Sequence, residues 1–156
     1  NLTATMGDAN VALAWSAVPN ATAYYVKRSN TSSNFTTIAT NLTLTFTNTG
    51  LSNGTLYYYV VSALNGAGES TNSAPVSARP TSSAPTQLGF ANNGGQLQLN
   101  WPADHTGWQL QSQTNSLGAG LGTNWSNVAS STLTNQLTMP VGTTNGSVFF
   151  RLVRPY

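Results

Sequence analysis

Apolar residues in this 156-residue chain recur at every second position, in short runs broken by Gly, Asn, Ser and Pro. That period belongs to strands, whose successive side chains point to opposite faces. The 3.6-residue period of an amphipathic helix is almost absent. The runs over 2–6, 11–15, 23–28, 35–39, 42–47, 55–64 and 75–79 predict seven strands within about 80 residues, the density of a β-sandwich. The longest, Thr55-Leu-Tyr-Tyr-Tyr-Val-Val-Ser-Ala63, puts Tyr57, Tyr59, Val61 and Ala63 on one face and makes a central strand.

Charged residues make up 5% of the chain, against about a quarter in typical domains. Ser, Thr, Asn and Gln supply the surface polarity, which suits an exported protein that meets neutral polar ligands. Lys27, Arg28, Arg79, Arg151 and Arg154 against Asp8, Glu69 and Asp104 give a formal net charge of +2. These cations are scattered, so the phosphate-neutralising cluster that a nucleic acid needs is missing. With no cysteine, disulfides and thiolate metal sites are excluded. No apolar run approaches the roughly 20 residues of a membrane-spanning helix. The absence of a signal peptide is expected either of a secreted chain whose leader has been removed or of a piece of a longer chain, and the strand-like start at Asn1-Leu-Thr-Ala-Thr5 favours the second.

Residues 1–80 resemble a fibronectin type III domain. The resemblance is carried by Leu13-x-Trp15, Tyr24-x-Val26, Gly50-Leu51-x-x-Gly54-Thr55-x-Tyr57, Asn65-x-x-Gly68-Glu69-Ser70 and Pro75-x-Ser77-Ala78. It implies a spacer or adhesion fold without catalytic chemistry. It also implies that Tyr57 is the corner tyrosine, its hydroxyl tied back to backbone. No Arg-Gly-Asp loop is present for integrin recognition.

Residues 81–86 read as a short, partly stiffened linker. Beyond it, runs over 88–90, 96–101, 107–113, 124–129, 136–139 and 147–153 repeat the element order of the first half. Leu13-Ala-Trp15 returns as Leu99-Asn-Trp101, and Phe35-Thr-Thr-Ile38 returns as Trp125-Ser-Asn-Val128. Asn53-Gly-Thr-Leu-Tyr-Tyr58 returns as Asn145-Gly-Ser-Val-Phe-Phe150. Residues 87–156 are therefore expected to form a second, smaller immunoglobulin-like sandwich that ends after its sixth strand, leaving an edge to be covered. At about 70 residues its core is marginal, and it is expected to lean on the first domain or the linker. Leu99-x-Trp101-Pro102-Ala103-Asp104-His105-Thr106-Gly107-Trp108, Leu121-Gly-Thr-Asn-Trp125 and Phe149-Phe-Arg-Leu-Val153 also resemble a C-terminal module of large secreted bacterial proteins, among them polysaccharide-degrading enzymes. That resemblance implies an architecture and assigns no binding residue.

Catalysis is disfavoured by the acids. Paired carboxylates suit glycoside hydrolysis, yet Asp8 and Glu69 lie in the first half and Asp104 has no acidic partner in the second. Asp104-His105 could form half of a nucleophile-activating arrangement, but it is read in preference as a turn in which Asp104 accepts backbone N–H bonds. One His and one Asp make a poor metal site, nothing favours calcium, and no cofactor is implied.

Binding remains. A sugar offers C–H faces that pack on aromatic rings and hydroxyls that need donors and acceptors. Period two puts Trp108, Leu110 and Ser112 on the inner face of their strand and Gln109, Gln111 and Gln113 on the outer one. On the adjacent last strand, Val148, Phe150 and Leu152 go inward, because an unpaired buried Arg is costly. Phe149, Arg151 and Val153 then share the outer face with the glutamines. Aligning that strand to Tyr57 and Tyr59 instead would turn Phe149 and Arg151 inward. Trp15 and Trp101 are expected in the cores. Trp108 falls on the inward parity, with a half-exposed sheet end as the alternative, and Trp125 follows the Gly-rich loop 117–122 as the best exposed candidate. Tyr25 and Tyr58, paired across strands, would be a weaker patch, and Tyr156 a cover for the last edge.

The expected protein is all-β, two tandem antiparallel β-sandwiches. It is expected to be a monomeric, non-catalytic, extracellular appendage of a polysaccharide-degrading enzyme, with the catalytic domain in the same parent chain. Its ligand would be a neutral polysaccharide such as a β-glucan or xylan, bound through Trp125, Gln109, Gln111, Gln113 and Arg151, with Trp108 and Phe149 behind them. The alternative is a spacer plus C-terminal attachment or sorting module that binds no sugar.

Overall fold

A computed structural model describes residues 1–142 and 146–154. Tyr156 and Asn145, invoked above as an edge cover and in the repeat, lie outside the described residues. The chain divides into two compact units, Asn1–Ser82 and Ser83–Tyr156. Every strand pairing within them is antiparallel. Among the described residues, no helix is long and apolar enough to cross a membrane.

In the first unit, β1 (Leu2–Met6), β2 (Asn10–Trp15) and β5 (Thr45–Thr49) form one sheet in the order β1-β2-β5. The other sheet runs from β4 (Thr36–Asn41) through β3 (Ala23–Ser29) to β6 (Tyr57–Asn65), whose far side carries β7 (Gly68–Glu69) and β8 (Val76–Ala78). Alternation builds the core as expected, with Val11, Leu13 and Trp15 of β2 in one cluster with Tyr24, Val26, Tyr57, Tyr59 and Val61. The Tyr57 hydroxyl accepts the Ser52 N–H at 3.1 Å, the corner tie that the resemblance implied. The Arg28 guanidinium lies 5.2 Å from the same ring's centroid.

Three expectations for this unit change. The strand expected over 42–47 begins at Thr45, because Asn41 Nδ2 donates to Thr45 O at 2.6 Å and closes a turn that leaves Leu42 exposed. Tyr25 and Tyr58 do not pair, since β3 and β6 register Tyr25 with Ser62 and Tyr58 with Ser29. The last strand is broken, because from Leu64↔Glu69 to Tyr59↔Val76 five steps along β6 meet seven along the edge. Two serines bridge that bulge. Ser70 Oγ accepts the Ala63 N–H at 2.9 Å and Ser73 Oγ accepts the Val61 N–H at 3.1 Å, doing what strand carbonyls do elsewhere.

The second unit repeats the plan with fewer buried side chains. One sheet has the order β13-β10-β9, from β9 (Gly89–Asn93), β10 (Gln96–Asn100) and β13 (Gln136–Pro140). The other has the order β12-β11-β14, from β11 (Gln109–Asn115), β12 (Ser126–Asn127) and β14 (Ser147–Val153). Leu99, Trp101 and Leu110 are its buried centre, with Leu97, Leu137, Met139, Phe150 and Leu152 packed round them. Phe150 and Leu152 of β14 thus face the core while Arg151 is exposed, which is the apolar-inward register. The strand expected over 124–129 shrinks to the two residues of β12. Trp15 and Trp101, which occupy the repeated Leu-x-Trp position, each bury an indole N–H that has no acceptor among the described residues.

The segment expected as a linker is fastened at both ends, each to its own unit. The Thr81 N–H donates to Gly7 O at 3.1 Å, and Ala84 O accepts from His105 Nε2 at 2.8 Å. Among the described residues β14 pairs only with β11, so its other side is an open edge. A cavity of about 400 Å³ runs beside it, lined by Leu88, Phe90, Leu97, Val148 and Phe149 among others.

Candidate functional site

The outer face of the β12-β11-β14 sheet is built by register alone. Across β11 and β14, Gln109 stands opposite Val153, Gln111 opposite Arg151 and Gln113 opposite Phe149. On the other side of β11, Gln111 stands opposite Asn127. Continuing that ladder by one residue brings Trp125, on the same parity as Asn127, beside Gln113. Strands are about 4.8 Å apart, so a long side chain from β14 can cross β11 and reach the residues leading into β12. Arg151 does so. Its guanidinium carbon lies 4.3 Å from the centroid of the Trp125 ring, a stacked cation–π contact.

The glutamine row divides by what holds each amide. Gln111 is the central link, with its Oε1 accepting Arg151 Nε–H at 2.8 Å and its Nε2 donating to Asn127 Oδ1 at 2.8 Å. Gln113 is only 4% exposed. It fastens the approach to Trp125, accepting the Gly122 N–H at 2.9 Å and donating to Asn124 O at 3.1 Å. Gln109 is likewise turned to the protein, donating to Ser131 Oγ at 2.6 Å and Val128 O at 3.0 Å. Two of the three glutamines are therefore scaffold, and one displays a polar row.

The remaining candidates separate in the same way. Trp125 is half-buried and Arg151 exposed, both in the row. Phe149 is half-buried and lines the cavity beside the β14 edge. Trp108 is 9% exposed and takes no part in the outer face, packing edge-on against His105 with ring centroids 4.7 Å apart.

Asp104-His105 is not the backbone-capping turn expected of it. Ala103–His105 is a 3-10 turn in which the buried His105 ring has Asp104 Oδ1 2.7 Å from its Nδ1 and Ala84 O 2.8 Å from its Nε2. Both nitrogens of the buried ring are thereby held in place, while the Asp104 side chain stays half exposed. The other two acids are engaged elsewhere, Asp8 with Asn53 and Glu69 with Lys27 and Ser62. Among the described residues no group of three or more His, Cys, Asp or Glu could hold a metal ion.

Sequence reasoning missed Asn127, although period two from Trp125 along the short strand marks it. It also missed Leu117 and Leu121, which are exposed at 83% and 67% on the loop leading to Trp125.

The match to a known family falls on the first unit. The family model described as fibronectin type III domain matches residues 1–79. Among solved structures, the chain is similar to an Fn3-like protein from Clostridium thermocellum, at 43% identity over 49% of this chain and 84% of that one, with a TM-score of 0.47. It is similar to a beta-1,2-glucanase from Parabacteroides distasonis at 24% identity, over 51% of this chain and 12% of that one, with a TM-score of 0.48. A segment of two fibronectin type III domains from chicken tenascin is 13% identical over 99% of this chain and 98% of that one, with a TM-score of 0.48. None of the curated proteins compared with the chain matches it.

Proposed function

Because the chain belongs to the fibronectin type III domain family through residues 1–79, a family of generally non-catalytic modules, we propose that it serves as an accessory part of a longer exported protein. Its second unit holds polysaccharide on the outer face of β11, β12 and β14, next to a polysaccharide-degrading domain of the same parent chain. The observation that carries this reading is the continuous row Trp125–Arg151–Gln111–Asn127. It joins an aromatic plane to a chain of oriented hydrogen-bonding groups on an otherwise nearly uncharged surface. Such a row offers a sugar both ring contact and donors and acceptors. Even a weak site of this kind is useful to a tethered catalytic domain, because tethering raises the effective concentration on an insoluble substrate.

Depletion of the whole chain from solution by insoluble cellulose, xylan, pectin and chitin tests this. Retention by at least one polymer is expected, with a loss of about tenfold in affinity in Trp125→Ala. Equal retention of wild type and variant, or retention by no polymer, contradicts it. The burial of Trp108 favours a second reading, a spacer plus attachment module that binds no sugar, and the second outcome selects it.

A further inference from the structure

We propose that the sugar units recognised by this face carry a carboxylate, and that the Arg151 guanidinium is the group that reads it. The proposal rests on the carbohydrate-binding reading above and changes the ligand from the neutral polymer that the composition suggests to an acidic one. Three restraints fix Arg151: the Trp125 ring under its guanidinium, the Gln111 amide on its Nε, and Asn127 holding that amide in turn. An exposed arginine normally keeps most of its rotamer freedom, and ordering it on binding costs free energy. Here the ordering is already done. The restraints also leave the charge intact, because a ring face and a neutral amide orient a guanidinium without neutralising it.

Among the described residues no carboxylate does so either. Lys27 pairs with Glu69 and His105 contacts Asp104, and Arg151 takes part in neither contact. Arg151 makes its hydrogen bond through Nε, and both Nη groups are without hydrogen bonds to described residues. A guanidinium edge with parallel donors matches a carboxylate in a bidentate pair, which is stronger and more directional than a bond to a neutral hydroxyl. The stacked guanidinium covers one face of the Trp125 ring, so a sugar is left the ring's other face and edge for C–H contact. Arg151 and Arg154 against the single acid Asp104 leave the second unit mildly positive, so a polyanion is not repelled. Two arginines are too few to bind a nucleic acid by neutralising phosphates.

A sulfate ester shares this anion chemistry, and the test separates the two. The whole chain is titrated calorimetrically, at about 0.15 M salt, with galacturonate oligomers, their methyl esters, xylo-oligomers and sulfated xylo-oligomers. Binding to the free galacturonate oligomers is expected, with loss on methyl esterification and a fall of about tenfold or more in Arg151→Gln. Arg151→Lys, which keeps the charge but loses the fork and the stacking, is expected to recover only part of it. Arg154→Gln is expected to bind like wild type, and unchanged melting of each variant shows that the fold is intact. Equal binding to the methyl ester or the xylo-oligomers overturns the proposal and leaves polysaccharide binding standing. Tighter binding to the sulfated oligomers overturns the carboxylate assignment, and an equal loss in Arg154→Gln overturns recognition by Arg151. Binding to none of the four defeats the proposal and the carbohydrate reading together.

Discussion

Gln111 and Gln113 stand two residues apart on one face of β11, have the same side chain, and differ in what depends on them. Gln113 is buried and gives both its oxygen and its nitrogen to the backbone of the loop before Trp125. Gln113→Ala strands a loop N–H and a carbonyl, and is expected to cost about 1–3 kcal/mol in urea unfolding. Gln111→Ala breaks only exposed side-chain contacts and is expected to stay within about 0.5 kcal/mol of wild type, while weakening ligand binding because Arg151 loses its anchor. Equal destabilisation by the two would contradict the division of the row. The sequence shows through period two that the glutamines share a face, and the structure agrees. It does not show which of them are free, because their partners at Gly122, Asn124, Val128 and Ser131 come from loops with no period to read.

The strands of the first unit are tied together by an ion pair that crosses a whole element. Lys27 on β3 and Glu69 on β7 meet over β6, and Glu69 also accepts from Ser62 Oγ at 2.7 Å. This bridge helps to explain why Val60 and Ser62, on the outward side of β6, are almost fully buried. The hydrogen bonds from Lys27 and then Ser62 hold the Glu69 carboxyl below its ordinary value of 4.5. A carboxyl lowered by folding adds stability above its unfolded pKa, and that addition is lost as pH falls through the folded value. The stability advantage of wild type over Glu69→Gln is therefore expected to be constant near neutrality and to shrink below about pH 4.5. Chemical denaturation of both proteins across pH 2–7 checks this, and an advantage that grows on acidification would contradict it. Neither the bridge nor the split of the last strand is written in the periodicity. Each depends on residues brought together across the sheet, as when the hydroxyls of Ser70 and Ser73 take over the accepting role of strand carbonyls.

For the whole molecule, the two-unit all-β architecture follows from the alternating runs, the repeated Leu-x-Trp and the corner tyrosine. All three are local patterns that burial enforces on any sheet with one wet face. The candidate site was half legible. Trp125, Arg151 and Gln111 share a face because of parity, but the stacking of Arg151 on Trp125 depends on a side chain crossing β11, which no spacing reveals. Trp108, conspicuous in the sequence, is spent on packing against His105.

The central claim is that this one face meets the ligand. It is tested most directly by following backbone, indole and side-chain amide NMR signals of the labelled whole chain during titration with cello-, xylo- and galacturono-oligosaccharides. The account predicts that the Trp125 indole and the Gln111 and Asn127 amides shift together and saturate with one another, while Trp15, Trp101 and Trp108 stay in place. Shifts confined to Tyr25 and Tyr58 of the first unit, or no shift with any oligosaccharide, would contradict it.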